Sequence, residues 1–72
     1  MSFDFKKLGN EIRLRRKQLS LTQEETARLA ECGSVFVNEL EKGKATVRLD
    51  KLIAVLNVLG MELKIEQREI KP

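Results

Sequence analysis

The stretch LTQEETARLAECGSVFVNELEKGK, Leu21 to Lys44, sets two short helical patterns against one another with only a few residues between them. Thr22 opens the first. Its hydroxyl can cap the new N-terminus, and Glu25, three residues on, completes a T-x-x-E capping box. Leu29 and Ala30 are expected to face inward, and Ala27 is small enough for another backbone to approach. The pattern ends near Glu31, and Gly33 or Ser34 caps a second helix from about Ser34 to Lys42. Val37 and Leu40 form its buried pair. Gly43 supplies a left-handed C-terminal stop.

Outward from this stretch the periodicity predicts two more helices. Before it, Phe5, Leu8, Ile12 and Leu19 recur at helical spacing and define one face of a helix from about Asp4 to Gln18. Gly9 within it is mildly unfavourable. Phe3, Lys7 and Leu14 fall on the opposite side, a small apolar patch that would suit a protein partner. After the stretch, a helix from about Leu49 to Leu59 carries Leu49, Leu52, Ile53, Leu56 and Leu59, with Gly60 as its stop. Val55 and Val58 extend its apolar surface, so the helix needs cover on more than one side.

Next comes MELKIEQR, in which Met61, Leu63 and Ile65 alternate with Glu62, Lys64 and Glu66. This is a strand pattern with one apolar face. The chain offers it no second strand, so its natural partner is the same strand in another copy. Dimer contacts are accordingly expected at Val55, Val58, Met61, Leu63 and Ile65. Residues 1–60 read as one domain and 61–72 as a dimerisation strand and tail.

At 72 residues, the chain is below the size at which one core is comfortably stable alone. It is 42% hydrophobic and 35% charged, hence globular rather than disordered. Lys and Arg outnumber Asp and Glu by 14 to 11, a mild excess that permits an anionic partner without requiring one. KK at 6–7 and RLRRK at 13–17 concentrate that charge early. For Arg13, Arg15 and Lys17 a solvated face is the default. The single cysteine, Cys32, excludes an internal disulfide, suits a reducing compartment and reads as a small buried hydrophobe. No apolar run approaches a membrane span, and the charged N-terminus lacks a signal-peptide core, so a cytoplasmic protein is expected. With no histidine, no metal-ligand cluster and no paired carboxylates, an enzyme is rejected; no metal or cofactor is expected.

Two helices joined by a three- or four-residue turn form the helix-turn-helix geometry, whose second helix enters the DNA major groove. Geometry alone is weak; the residues say more. LTQEE, ARLA and NELEKGK at their spacing resemble the helix-turn-helix of the phage-repressor-like (XRE) transcriptional regulators, over about residues 8–60. That resemblance implies an all-α bundle of four or five helices. KATVRLDKLIAVLNVLGMELKI further resembles the HipB-like antitoxin branch, whose members pair with HipA-type kinase toxins and dimerise partly through a C-terminal strand.

The family touches DNA with the start of its second helix and both ends of its third. By that resemblance Thr22 and Gln23 would hold phosphate through side chain and backbone N–H, aided by the helix dipole. Ser34, Val35 and Asn38 would meet base edges, Asn pairing with adenine and Val touching a thymine methyl. Phe36 is placed near the DNA backbone or a thymine methyl, with core packing as its other role. Lys42 and Lys44 would contact phosphate. Arg16 would pair with Glu41, locking the recognition helix onto the first, and also come within reach of a phosphate.

The sequence departs from the family in three places. Glu31-Cys32-Gly33 stands for the usual Gly-apolar-Ser/Thr turn, so Glu31 must adopt a glycine-like conformation at a cost of about 1 kcal/mol. Ser20 replaces a common terminating glycine. Thr26 replaces a core leucine. The expected function is a homodimeric, sequence-specific repressor reading a palindromic operator, the antitoxin of a type II toxin–antitoxin pair that regulates its own operon. A stand-alone regulator of the same family, or a helix-turn-helix used mainly to bind a toxin, are the alternatives.

Overall fold

The computed structural model describes residues 3–70. Four helices follow in order: α1 (Phe5–Gln18), α2 (Gln23–Leu29), α3 (Ser34–Glu41) and α4 (Leu49–Val58). No strand occurs among the described residues. The helices enclose one core of Ile12, Ala27, Val37, Leu40, Leu52, Val55, Leu56 and Leu59, flanked by partly buried Leu8, Leu21, Ala30, Cys32, Phe36, Val47, Val58 and Met61. Burial raises the Cys32 thiol above its ordinary range, opposed by Lys51, which keeps it protonated and in the role of a small hydrophobe.

Each start and stop has a local cause. Asp4 caps α1, its carboxylate accepting from the Lys7 N–H at 2.9 Å. At α2 the capping box is complete: the Glu25 N–H donates to Thr22 Oγ1 at 3.0 Å, and the Thr22 N–H donates to Glu25 Oε1 at 2.9 Å. Thr26, wholly buried, donates its hydroxyl to the Thr22 carbonyl at 2.9 Å, which is how a polar residue fills a leucine site without an orphaned group.

All four helices end in one way. Ser20, Glu31, Gly43 and Gly60 adopt positive φ (58°, 56°, 90° and 67°) just past the last turn. The following residue turns back: the Leu21, Cys32, Lys44 and Met61 N–H groups donate to the Arg16, Ala27, Glu39 and Leu56 carbonyls. This is the Schellman motif, and it reverses the chain within one residue. After α1 and α2 the connections are short, residues 19–22 and 30–33, and bring these helices against the next.

The close approach of α1 to α3 explains Gly9. A Cβ there would stand 2.5 Å from the carbonyl oxygens of Leu40 and Glu41. The glycine that looks unfavourable in helix propensity is the point where two backbones cross.

Several side chains point elsewhere than the periodicity predicts. Leu19 is 40% exposed because α1 ends at Gln18; the inward position one turn earlier belongs to Arg16. Leu29 is 54% exposed, lying about 200° around the helix from Ala27; Thr26 and Ala27 form the buried face of α2 instead. On α4 the core face is Leu52, Val55, Leu56 and Leu59, while Leu49 and Ile53 are exposed. Val55 is wholly enclosed by its own protomer, so the expected dimer contact at that position is corrected: its surface is already used. Residues 62–70 are exposed and form neither helix nor strand, and Ile65 stands almost fully in solvent. The molecule measures 47 × 21 × 20 Å, longer than its helical body needs.

Candidate nucleic-acid interface

The turn Ala30–Gly33 brings the start of α3 beside the start of α2, with an open groove between them. Thr22, Gln23, Ser34, Val35 and Asn38 line it, with Arg16 also contributing. Five residues from separate parts of the sequence expectation thus share one surface. Ser34 and Val35 are exposed, and Gln23 and Asn38 are half-buried.

A buried ion pair supports that surface. Arg16 Nε donates to Glu41 Oε2 at 2.6 Å and Nη2 to Oε1 at 2.9 Å, a two-pronged pair with side chains only 9% and 3% exposed. Arg16 Nη1 donates to the Leu21 carbonyl at 2.8 Å. One guanidinium therefore joins α1, the turn into α2 and the last residue of α3. The hydrogen bond it donates to Glu41 holds Arg16 still more firmly protonated. So enclosed, Arg16 is bonded to Glu41 and to the Leu21 carbonyl, and a phosphate contact would have only the donors left over.

Glu41 does a second thing. It accepts from Gln23 Nε2 at 3.2 Å. Because a carboxylate only accepts, this contact fixes which end of the Gln23 amide is the nitrogen. Gln23 is thereby braced from behind while lining the groove.

The remaining expected contacts are distributed around this centre. Phe36 is half-buried and packed against the core, with Lys51 Nζ 6.0 Å from its ring centroid. Lys42 is exposed and belongs to no ion pair among the described residues. Lys44 lies 2.5 Å from Glu39, half in solvent. Of the expected dimer residues other than Val55, Val58 and Met61 are half-buried against the core, and Leu63 and Ile65 are exposed. Phe3 is exposed and stacks edge-on to Phe5 at 5.0 Å; Leu14 is also exposed.

Three contacts escaped the sequence reading. Arg15 Nε donates to the Leu59 carbonyl at 2.9 Å, tying α1 to the end of α4 rather than lying on a solvated face. Nothing local announces that pairing across the fold. The Gln23–Glu41 bond is equally non-local. The Glu39–Lys44 pair was legible: once Gly43 is a Schellman stop, positions 39 and 44 are the two that motif brings together.

Residues 7–69 match the family described as Helix-turn-helix domain, and the chain belongs to that family. The HTH-type transcriptional regulator y4mF of Sinorhizobium fredii, itself uncharacterized, is 38% identical over 58 residues, spanning 81% of this chain and 76% of that protein. A chain from the solved structure of a HipA-HipB-O2-O3 complex superposes with a TM-score of 0.81 at 19% identity, covering 96% of this chain and 97% of the other. A chain from a HipB-O2 complex gives the same score and identity, covering 96% of each. The fold is therefore HipB-like.

Proposed function

We propose that this chain is a sequence-specific DNA-binding repressor that works as a homodimer. The observation that carries the reading is the groove itself: Ser34, Val35 and Asn38 stand exposed or half-exposed beside Gln23 on a helix locked in place by Arg16–Glu41. A helix braced at its far end and bare on its outer face suits insertion into the major groove. In this reading Asn38 and Val35 meet base edges, Ser34 either bases or backbone, and Thr22, Gln23 and Lys42 hold phosphate. Lys44 joins them when it leaves Glu39. Membership of the helix-turn-helix family and the likeness to a transcriptional regulator support it.

The homodimer reading is supported by residues 61–67, whose alternating pattern has no strand to pair with among the described residues, and by exposed Leu63 and Ile65. Residues 1–60 then form the DNA-binding body and 61–72 the dimer strand and tail. The protein works in the cytoplasm, where its DNA is.

The finer assignment is an antitoxin whose partner is a HipA-type kinase toxin and whose operator is its own promoter. It is supported by the resemblance of the C-terminal third and by a fold shared with a chain of a HipA-HipB complex. The test is a titration of the purified protein against the DNA upstream of its own gene, with and without the product of the adjacent reading frame. The reading expects binding well above that to a scrambled duplex, and a stable complex with a kinase-like neighbour. Equal binding to both duplexes would end the repressor reading. Specific DNA binding with no kinase-like neighbour would leave a stand-alone regulator.

A further inference from the structure

α1 does not end its work at the Gly9 crossing. One turn earlier, Lys6 lies directly on the turn that follows α3: a Cβ on Gly43 would stand 2.8 Å from Lys6 Cγ and 2.9 Å from its Cα. Three lysines, Lys6, Lys42 and Lys44, thus leave from adjoining backbone at one edge of the molecule. The acidic groups nearby are mostly engaged. Glu41 is taken by Arg16, the Asp4 carboxylate caps α1 through the Lys7 N–H, and Glu39 meets Lys44. Neither Lys6 nor Lys42 belongs to an ion pair among the described residues, and both are exposed.

Gathering like charges without counter-charges is unfavourable unless something anionic relieves it. Two internal reliefs exist: Glu39, which meets Lys44, and the negative end of the α3 dipole, worth about 0.3–1 kcal/mol for an exposed cation. Glu39 accounts for Lys44 and the dipole for one further lysine, which leaves one of Lys6 and Lys42 at this helix end without a counter-charge. We propose that Lys6, Lys42 and Lys44 form a basic ledge that takes the phosphodiester backbone of DNA beyond the recognition helix, with Lys6 as a contact supplied from α1. This inference rests on the DNA-binding reading above. It lengthens the footprint past the end of α3 and assigns a DNA role to a helix outside the helix-turn-helix.

A phosphate contact carries no sequence information, so the probe needs no operator: mixed-sequence duplex DNA is titrated with protein at several salt concentrations. The variants are Lys6→Gln and, as control, Lys7→Gln. Lys7 is next in sequence but about 100° around the helix, lining a different groove with Phe3, Leu8 and Glu11. The expected result is that Lys6→Gln flattens the log–log salt dependence by about 0.9 per bound protomer, Lys7→Gln keeps the parent slope, and both melt as the parent does to within a few degrees. An unchanged slope for Lys6→Gln overturns the ledge, as do equal losses from both variants, which would mean a diffuse field. A lower melting temperature for Lys6→Gln at the parent slope assigns it to the helix dipole and also overturns the proposal. If the parent binds no duplex at all, the DNA-binding reading itself has failed, a different result from loss of the ledge alone.

Discussion

Glu31 holds φ at 56°, where an L side chain crowds its own carbonyl and only glycine is relaxed. Its side chain is exposed and makes no ion pair or hydrogen bond among the described residues to offset the strain. Glu31→Gly should therefore stabilise the fold by about 1 kcal/mol, raising the melting temperature by roughly 4–8 °C; a drop on thermal melting would show that the turn is not strained. The opposite outcome is expected at Glu41. Replacing it by Leu leaves the Arg16 guanidinium buried without its partner, at a cost of about 3–5 kcal/mol, read from the denaturant midpoint. Both residues were legible, because the turn's departure from glycine and the Arg–Glu pair each show in the family resemblance. Leu19 and Leu29 were not: apolar spacing runs past the end of α1 to Leu19, and Leu29 lies around α2 from its buried face of Thr26 and Ala27.

Elements were the most legible scale, because their ends are written in local chemistry. Thr22 and Glu25 announced α2, and Gly43 and Gly60 announced the ends of α3 and α4. The Glu25 carboxyl is held below its ordinary range first by the backbone N–H of Thr22, then by the Thr22 hydroxyl. A depressed carboxylate contributes stability above its unfolded pKa and loses it as pH falls through the folded one. Glu25→Gln keeps a neutral box but cannot titrate, so its melting temperature should fall less on acidification than the parent's. Parallel curves would remove the box from the acid response. What local chemistry did not show was the crossing of α1 on α3. Gly9→Ala gains about 1 kcal/mol of helix propensity, yet its methyl meets two carbonyl oxygens at 2.5 Å. Overpacking of that kind costs about 1–3 kcal/mol, and backbone yields less than side chain. A net loss of stability is expected, seen as a lower denaturant midpoint at unchanged slope.

At the scale of the whole molecule, the helical body was legible and its partners were not, because a surface bare in the protomer looks the same whatever covers it. The tail illustrates this. Its alternation suits a partner strand, and none occurs among the described residues. Ile65→Pro removes one backbone donor and one apolar side chain from any such ladder, and sedimentation should then report a weaker dimer; an unchanged dimer would refute the strand. The assembly matters because two α3 helices related by a two-fold axis would read half-sites about one helical turn apart, roughly 10 base pairs centre to centre.

That geometry makes the central claim directly measurable. Selection of bound duplexes from a random pool, with the parent and with Asn38→Ala, reports which base positions the α3 face reads. The account predicts that the parent enriches a palindrome of that spacing. In the Asn38→Ala profile, preference at one symmetry-related position in each half-site should fall by about 1–3 kcal/mol while the others persist. A parent that enriches no sequence, or a variant whose profile matches the parent's at every position, would contradict it.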